Sequence, residues 1–507
     1  MTPETLANAV NDFLSVSNSA VVIEDGAVAF DLATTKYTVS GEHNKCLLHL
    51  WSAERNVVRR VLEAEVKNET LQLAVQRLGH SKPSKLEICR QRDRRSPNAR
   101  RVTRIAYQRR LERILLRNFP GYTCERFRTS MDLEQSFGPI YARGVLRKAQ
   151  SAYAVLGVND EETQSSIDAA LTFGILWLDI CRRDLGTKAT VHGLKLILPR
   201  KTAQLTRERM AHLHPEAAQW TLYEFDEKES SLAPVEIGDR GNLSSHLARL
   251  TDETSARERF FDSIARVHDL MPEAQTIVLS PSEIAFRHYG LEFARARLAH
   301  DPCSLKSLTE VVFGLGAEER VLDANTLPAF IDLIRTIGEA RHPQGPRDNM
   351  VWRMHPERWL ESLVMRDVSA LDGILDPACA YSQMPACVSS DRALMDVLTV
   401  TRDGRLAVLE LKASEDIHLP LQGLDYWTRV SWHHAHNEFS RHGYFAGRGL
   451  SPAAPLLYLV APALQIHPTT DTILRYFSPT IEWHVLGIDE RWRDSLRVVV
   501  RKRPPRV

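Results

Sequence analysis

DVLTVTRDGRLAVLELK, residues 396–412, decides how the C-terminal third of this chain folds. Two runs rich in Val and Leu flank the turn-forming triplet Arg402-Asp403-Gly404, so the stretch reads as an antiparallel hairpin. Side chains two apart on a strand share a face, so Glu410 and Lys412 point together, toward Asp396 across the hairpin. A charged pair inside the otherwise apolar LAVLELKA is awkward in a bare core, because buried charges need partners or a metal. Two converging carboxylates make an oxygen-lined site suited to a hard divalent cation such as Mg²⁺. A lysine beside them can orient a bound water or help to deprotonate it. The plain alternative is a Glu–Lys pair on a half-exposed strand edge.

Outward from the hairpin, the next helix carries Gln422-x-x-x-Tyr426, and PERWLESLV (356–364) opens the region as a helix. Asp, hairpin, apolar-flanked Glu-x-Lys and a helix-borne Gln-x-x-x-Tyr, in that order, resemble the PD-(D/E)XK nucleases, with the last motif like that of the RecB-type branch. The resemblance runs from about Arg353 to Val500 and implies a restriction-endonuclease-like α/β/α domain over 349–507. It implies Asp396 and Glu410 as metal ligands, the Leu411 carbonyl as a third, and Lys412 as the catalytic lysine. Gln422 and Tyr426 would hold the site or contact nucleic acid. Such domains often carry a glutamate on the first helix, where Glu361 fits and Glu357 is its rival, as ligand and catalytic group. The implied cofactor is Mg²⁺, with Mn²⁺ able to substitute. Met395 stands where the family's proline is expected.

An earlier segment looks like a copy. YAVLGVNDEE (153–162) aligns with LAVLELKASE (406–415), and GLKLILP (193–199) with LLYLVAP (456–462). Carrying the first spacing forward without a gap sets Gly157 on Glu410, Asn159 on Lys412, Ala169 on Gln422 and Phe173 on Tyr426. Arg143 or Gly144 falls near Asp396. The expectation is a degenerate, inactive nuclease-like domain over 105–230. The rest of the multidomain α/β reading is an N-terminal α+β module (1–90, with a helix near 53–78), a basic linker (91–104) and a helical region (231–348).

At 507 residues, two to four domains are expected. No apolar run reaches the ~18 residues of a membrane span, and the amphipathic N-terminus lacks a secretory signal's pattern. Seven scattered cysteines without a C-x-x-C read as free thiols, which points to the cytoplasm. The net charge of +1 hides a block from Arg90 to Arg117 with eleven arginines against Asp93 and Glu112. Arg94, Arg95, Arg100, Arg101 and Arg104 are its candidate phosphate contacts, the alternative being a solvated helix face and linker. His433, His434 and His436 read as solvated rather than as a metal cluster. No phosphate loop is present, GLGAEE (314–319) included, so any motor or sensor would be another protein. The expected function is a Mg²⁺-dependent nuclease of DNA in repair, recombination or anti-phage defence, with RNA as a second substrate class. The competing reading is a non-catalytic nucleic-acid-binding or assembly protein that retains the fold.

Overall fold

The computed structural model describes residues 2–14, 20–24, 27–32, 36–42, 45–51, 56–67, 70–77, 84–89, 97–132, 137–238, 243, 245–300, 307–315, 319–387 and 392–504. Among them the chain is mixed α/β and forms four sheets. No helix is long and apolar enough to cross a membrane. Cys46, Cys89, Cys124, Cys181 and Cys379 are free thiols.

The N-terminal module sets the amphipathic helix Pro3–Leu14 on a seven-stranded antiparallel sheet, burying Leu6, Val10 and Phe13. The helix expected near residues 53–78 is instead two strands, Asn56–Lys67 and Thr70–Arg77, paired antiparallel. Alternation in VLEAEV and TLQLAV, with period two, outweighs the helix-favouring Glu and Ala.

The region 231–348 is not mainly helical either. Between helices Glu253–Arg259, Phe261–Leu270 and Leu327–Ala340 stands a five-stranded antiparallel sheet from Gln275 to Val321. The apolar spacing of EIAFRHYGLEFARARL fits a helix, but Tyr289 and Gly290 both take positive φ, +43° and +71°. Two such residues build a tight hairpin turn, which pairs Glu283–His288 with Leu291–His300. Ile284, Phe286 and Phe293 fill the core beneath, while Arg295–Glu283 and Arg297–Glu310 pair across the strands.

Helix α1 (Pro97–Asn118) begins inside the stretch read as a linker. After it come β1 (Thr123–Arg128), β2 (Ala142–Lys148), β3 (Ser151–Gly157), α2 (Ala170–Leu185), β4 (Thr190–Pro199), α3 (Gln204–Met210), β5 (Gln219–Asp226) and β6 (Ser231–Val235). The C-terminal unit runs through the same succession. It has α4 (Pro356–Arg366), β7 (Leu375–Cys387), β8 (Arg392–Thr401), β9 (Leu406–Leu411), α5 (Leu419–Ala435), β10 (Leu456–Pro462), α6 (Thr470–Leu474), β11 (Trp483–Ile488) and β12 (Val498–Lys502). Strands lie side by side in chain order, with the short strand His246–Leu247 added beside β7. Junctions run antiparallel, antiparallel, parallel, parallel, antiparallel in both units.

Helices cover both faces of these central strands, which is why they read as continuous apolar runs. In β9, Ala407, Leu409 and Leu411 pack toward Trp359 and Leu360 of α4, while Leu406 and Val408 face Leu421 and Leu424 of α5. The second of these cores is shared, because Leu171 and Ile175 of α2 belong to it as well. Between the units, the His214 N–H donates to the Tyr476 carbonyl at 2.8 Å and the Ser478 N–H to that of His212 at 2.9 Å. Helix α2 lies against α6 and α5 against α3, so the two units meet through corresponding faces.

The register corrects the ungapped alignment. The β2–β3 hairpin turns on Ala149 and Gln150, since Lys148 pairs with Ser151. The β8–β9 turn holds one more residue, Arg402 to Gly404, closed by the Thr401 N–H on the Arg405 carbonyl. Beyond the turn every partner moves by one, and a one-residue slip changes the face. Glu410 therefore corresponds to Leu156, which pairs with Arg143 and Leu196 as Glu410 faces Asp396 and pairs with Leu459. Gly157 lies on the other face, where an added Cβ would meet Leu111 and Tyr107 of α1. The connection to the helix, residues 158–169 against 412–418, is also longer in the middle unit. Gly174 touches Leu194 and Leu196 as Gly423 touches Leu457 and Leu459, so Gln422 corresponds to Phe173 and Tyr426 to Trp177.

Candidate metal centre

Burial of an acidic side chain on a central strand is the starting point. Glu410 is 2% exposed near the end of β9, and the ladder continues past it with the Lys412 N–H on the Val460 carbonyl at 2.9 Å. Asp396, one step beyond the Val397–Leu409 pair, turns its Oδ2 to accept the Leu411 N–H at 2.8 Å. That bond fixes the carboxylate against the neighbouring strand. The Lys412 ammonium lies 3.0 Å from Glu410 Oε1 and 3.8 Å from Asp416 Oδ2. Helix α5 reaches the same spot because Gly423 has no side chain. A Cβ there would stand 2.5 Å from a Leu459 methyl and 3.7 Å from the Glu410 Cβ. Its neighbours Gln422 and Tyr426 line one cavity with Glu410 and Lys412.

Charge at this spot is poorly satisfied. Among the described residues, Glu410 Oε2 and Gln422 Oε1 are buried without a hydrogen-bond partner. Burial pushes the Asp396 carboxyl up to about 6, against the pull of the Leu411 N–H. Glu410 rises to about 8, through burial first and the Asp396 charge second. Burial works against the Lys412 charge, yet Glu410 and Asp396 raise its pKa overall and keep it an ammonium. Tyr426 is raised by burial and then by Glu410 and Asp396, so it stays a neutral phenol. An orphaned carboxylate oxygen beside a second raised carboxyl is the donor set a hard divalent cation satisfies.

The metal-free fold should show this strain. Carboxyls whose pKa is raised on folding give stability that is complete below the unfolded pKa, and lose it as pH rises through the folded value. Metal-free protein is therefore expected to melt higher at pH 5 than at pH 8. Glu410→Gln is expected to remove most of the difference, gaining on the order of 1–3 kcal/mol at pH 8. Thermal denaturation in EDTA at both values checks this, and equal melting of wild type and variant at pH 8 refutes it.

Glu361 stands apart. It is 5% exposed on α4, and Arg358 Nη1 holds its Oε2 at 2.9 Å. It faces a separate pocket of about 280 Å³ with Arg358 and Ser362, although its charge still acts on Asp396. Glu357, the alternative on the same helix, is partly exposed. Among the described residues no three His, Cys, Asp or Glu side chains come together in metal-binding geometry. The three histidines do not converge. His433 is 3% exposed, not solvated, and bridges Glu438 and Ser245, whereas His434 and His436 bind the carbonyls of Ser451 and Trp432.

Of the arginine block, Arg94, Arg95 and the side chain of Arg100 lie outside the described residues, and Arg101 is exposed. Arg104, another expected phosphate contact, is paired with an acidic side chain. Its Nε and Nη2 grip both carboxylate oxygens of Glu162 at 2.6 and 3.1 Å.

The middle unit, which carries none of the sequence motif, contributes to the same cavity. The cavity, about 610 Å³, is completed by Lys201, Gln204 and Arg209 from that unit. Arg209 Nε and Nη2 bind Asp425 of α5 at 2.8 and 2.7 Å, across 216 residues of sequence. No spacing rule could have joined them. In the middle unit itself, Arg143 replaces Asp396 and lies fully buried over the Phe137 ring at 4.7 Å. Trp177, in Tyr426's place, donates to the Gly144 carbonyl at 2.8 Å. That region holds rings and a guanidinium where the C-terminal unit holds carboxylates. Comparison with family models, curated proteins and solved structures returns no match for this chain.

Proposed function

We propose that the chain is a metal-dependent phosphodiesterase of nucleic acid. Its catalytic unit is PD-(D/E)XK-like, and the middle unit is an inactive copy. The observation that carries this reading is the Asp396–Glu410–Lys412 cluster, with an unpartnered Glu410 oxygen facing a cavity lined by Gln422 and Tyr426. Asp396 and Glu410 would hold Mg²⁺ or Mn²⁺, with the Leu411 carbonyl as a further oxygen donor; Glu361 would join them only on leaving Arg358. When bound, such a cation polarises a phosphoryl oxygen and lowers the pKa of a coordinated water.

The chain's own groups do the rest. Lys412, held as an ammonium, orients the attacking water and offsets charge building on the phosphate. The Tyr426 hydroxyl and Gln422 amide remain neutral donors toward the same cavity. The matched topology of the two sheets supports a duplication, and Arg143 and Leu156 in the places of Asp396 and Glu410 support inactivity of the first copy. One centre per chain then cuts one strand per encounter. One observation favours the binding-only alternative, the engagement of Glu361 by Arg358.

The deciding assay incubates the full chain with labelled single-stranded, duplex, flap and branched DNA and with RNA, in Mg²⁺ or Mn²⁺ and in EDTA. Cleavage that EDTA abolishes is the expected result, and binding without cleavage of any substrate selects the alternative. Replacing Arg94, Arg95, Arg100 and Arg101 together by Ala should weaken binding across all sequences. Each lost phosphate contact should lower the slope of log K against log salt by about 0.9 on duplex. An unchanged slope would return the block to the role of a solvated surface.

A further inference from the structure

The cavity at the candidate centre has two owners, and its cations are not equally free. Arg209 binds both oxygens of Asp425, Arg429 Nη1 donates to the Asp425 carbonyl, and Lys412 binds Glu410. Lys201, on the middle unit's side, lines the same cavity and is exposed; among the described residues its ammonium has no acceptor. Arg209 and Lys412 are committed to carboxylates and Arg429 is buried, so among the described residues Lys201 is the exposed, uncommitted cation that a phosphodiester entering beside Glu410 and Asp425 would meet.

The backbone gives a second reason. Lys201 has φ +66° and is the third residue of a turn in which the Thr202 N–H and hydroxyl both donate to the Pro199 carbonyl, at 3.3 and 2.8 Å. That position favours Gly or Asn, and a lysine there carries strain. The strained turn projects a flexible stem with a compact charge, suited to phosphate as a point contact.

We propose that Lys201 of the inactive middle unit is a phosphate contact for the strand bound at the C-terminal centre, so that one site is built from both units. The substrate class rests on the phosphodiesterase reading, whereas the contact itself concerns binding alone.

The test uses the full chain and a fluorescein-labelled single-stranded oligonucleotide, with binding followed by anisotropy in EDTA over a range of salt. Lys201→Gln is expected to weaken binding roughly fivefold, the size of one exposed ion pair. The slope of log K against log salt should fall by about 0.7. Lys201→Arg should keep both near wild type, and in the presence of Mg²⁺ Lys201→Gln should raise KM rather than lower kcat. Equal affinity and slope for wild type and Lys201→Gln overturn the proposal, as does wild-type protein that does not bind the oligonucleotide. Lys201-dependent binding without cleavage upholds the contact and sinks the hydrolytic reading instead.

Discussion

Lys412→Ala is expected to lower the single-turnover cleavage rate by about 10²–10³-fold, the usual cost of removing one preorganised electrostatic group. The ammonium lies 3.0 Å from Glu410 Oε1, and among the described residues Glu410 Oε2 has no hydrogen-bond partner. Removing it takes away the positive group that would meet the water and the developing phosphate charge. The β9 ladder bond from the Lys412 N–H to Val460 is a backbone bond and survives the substitution. Oligonucleotide binding in EDTA should therefore stay within about twofold, since the proposed phosphate contacts away from the centre are untouched by the substitution. Rapid-quench measurement with excess enzyme separates this loss from product release. A variant that cuts at the wild-type rate would remove Lys412 from the mechanism.

The largest effect on stability is expected at Arg209→Met. Arg209 is 7% exposed, and its guanidinium meets both oxygens of Asp425 across the boundary between the units. Methionine fills part of the volume but leaves Asp425 as a largely covered, unpaired carboxylate close to Glu410. Breaking such a pair from one side costs about 3–5 kcal/mol, because the stranded charge loses its compensation. Asp425→Asn in the same chain should recover most of that loss, since both charges are then absent. Urea unfolding of the two variants and of wild type checks the cycle. A loss below ~1 kcal/mol for Arg209→Met would show that the pair is solvated in solution and holds nothing together.

Legibility in the sequence followed the range of the interaction. The β8–β9 hairpin could be read because period-two alternation and the Arg402–Gly404 turn are local, and Glu410 and Lys412 share a face by strand geometry alone. The Asp396 position followed from the same hairpin. The sheet from Gln275 to Val321 could not be read, because Ile284, Phe286 and Phe293 fit helical and strand spacing alike. Only the turn at Tyr289-Gly290 separates the two, and its meaning depends on the strands pairing around it.

The sequence by itself determined the apolar strand runs of both α/β units and the acid–lysine cluster at the end of β9. These depend on side-chain chemistry and on steps of one or two residues. Tertiary structure alone decided that Leu156, not Gly157, stands in the place of Glu410, since one extra turn residue shifts the face of every residue after it. It alone brought Arg209 to Asp425 and Lys201 to the cavity of Glu410. Those contacts join segments more than 200 residues apart across a packed interface. No local periodicity encodes them, because they exist only once the two sheets have closed on a common core.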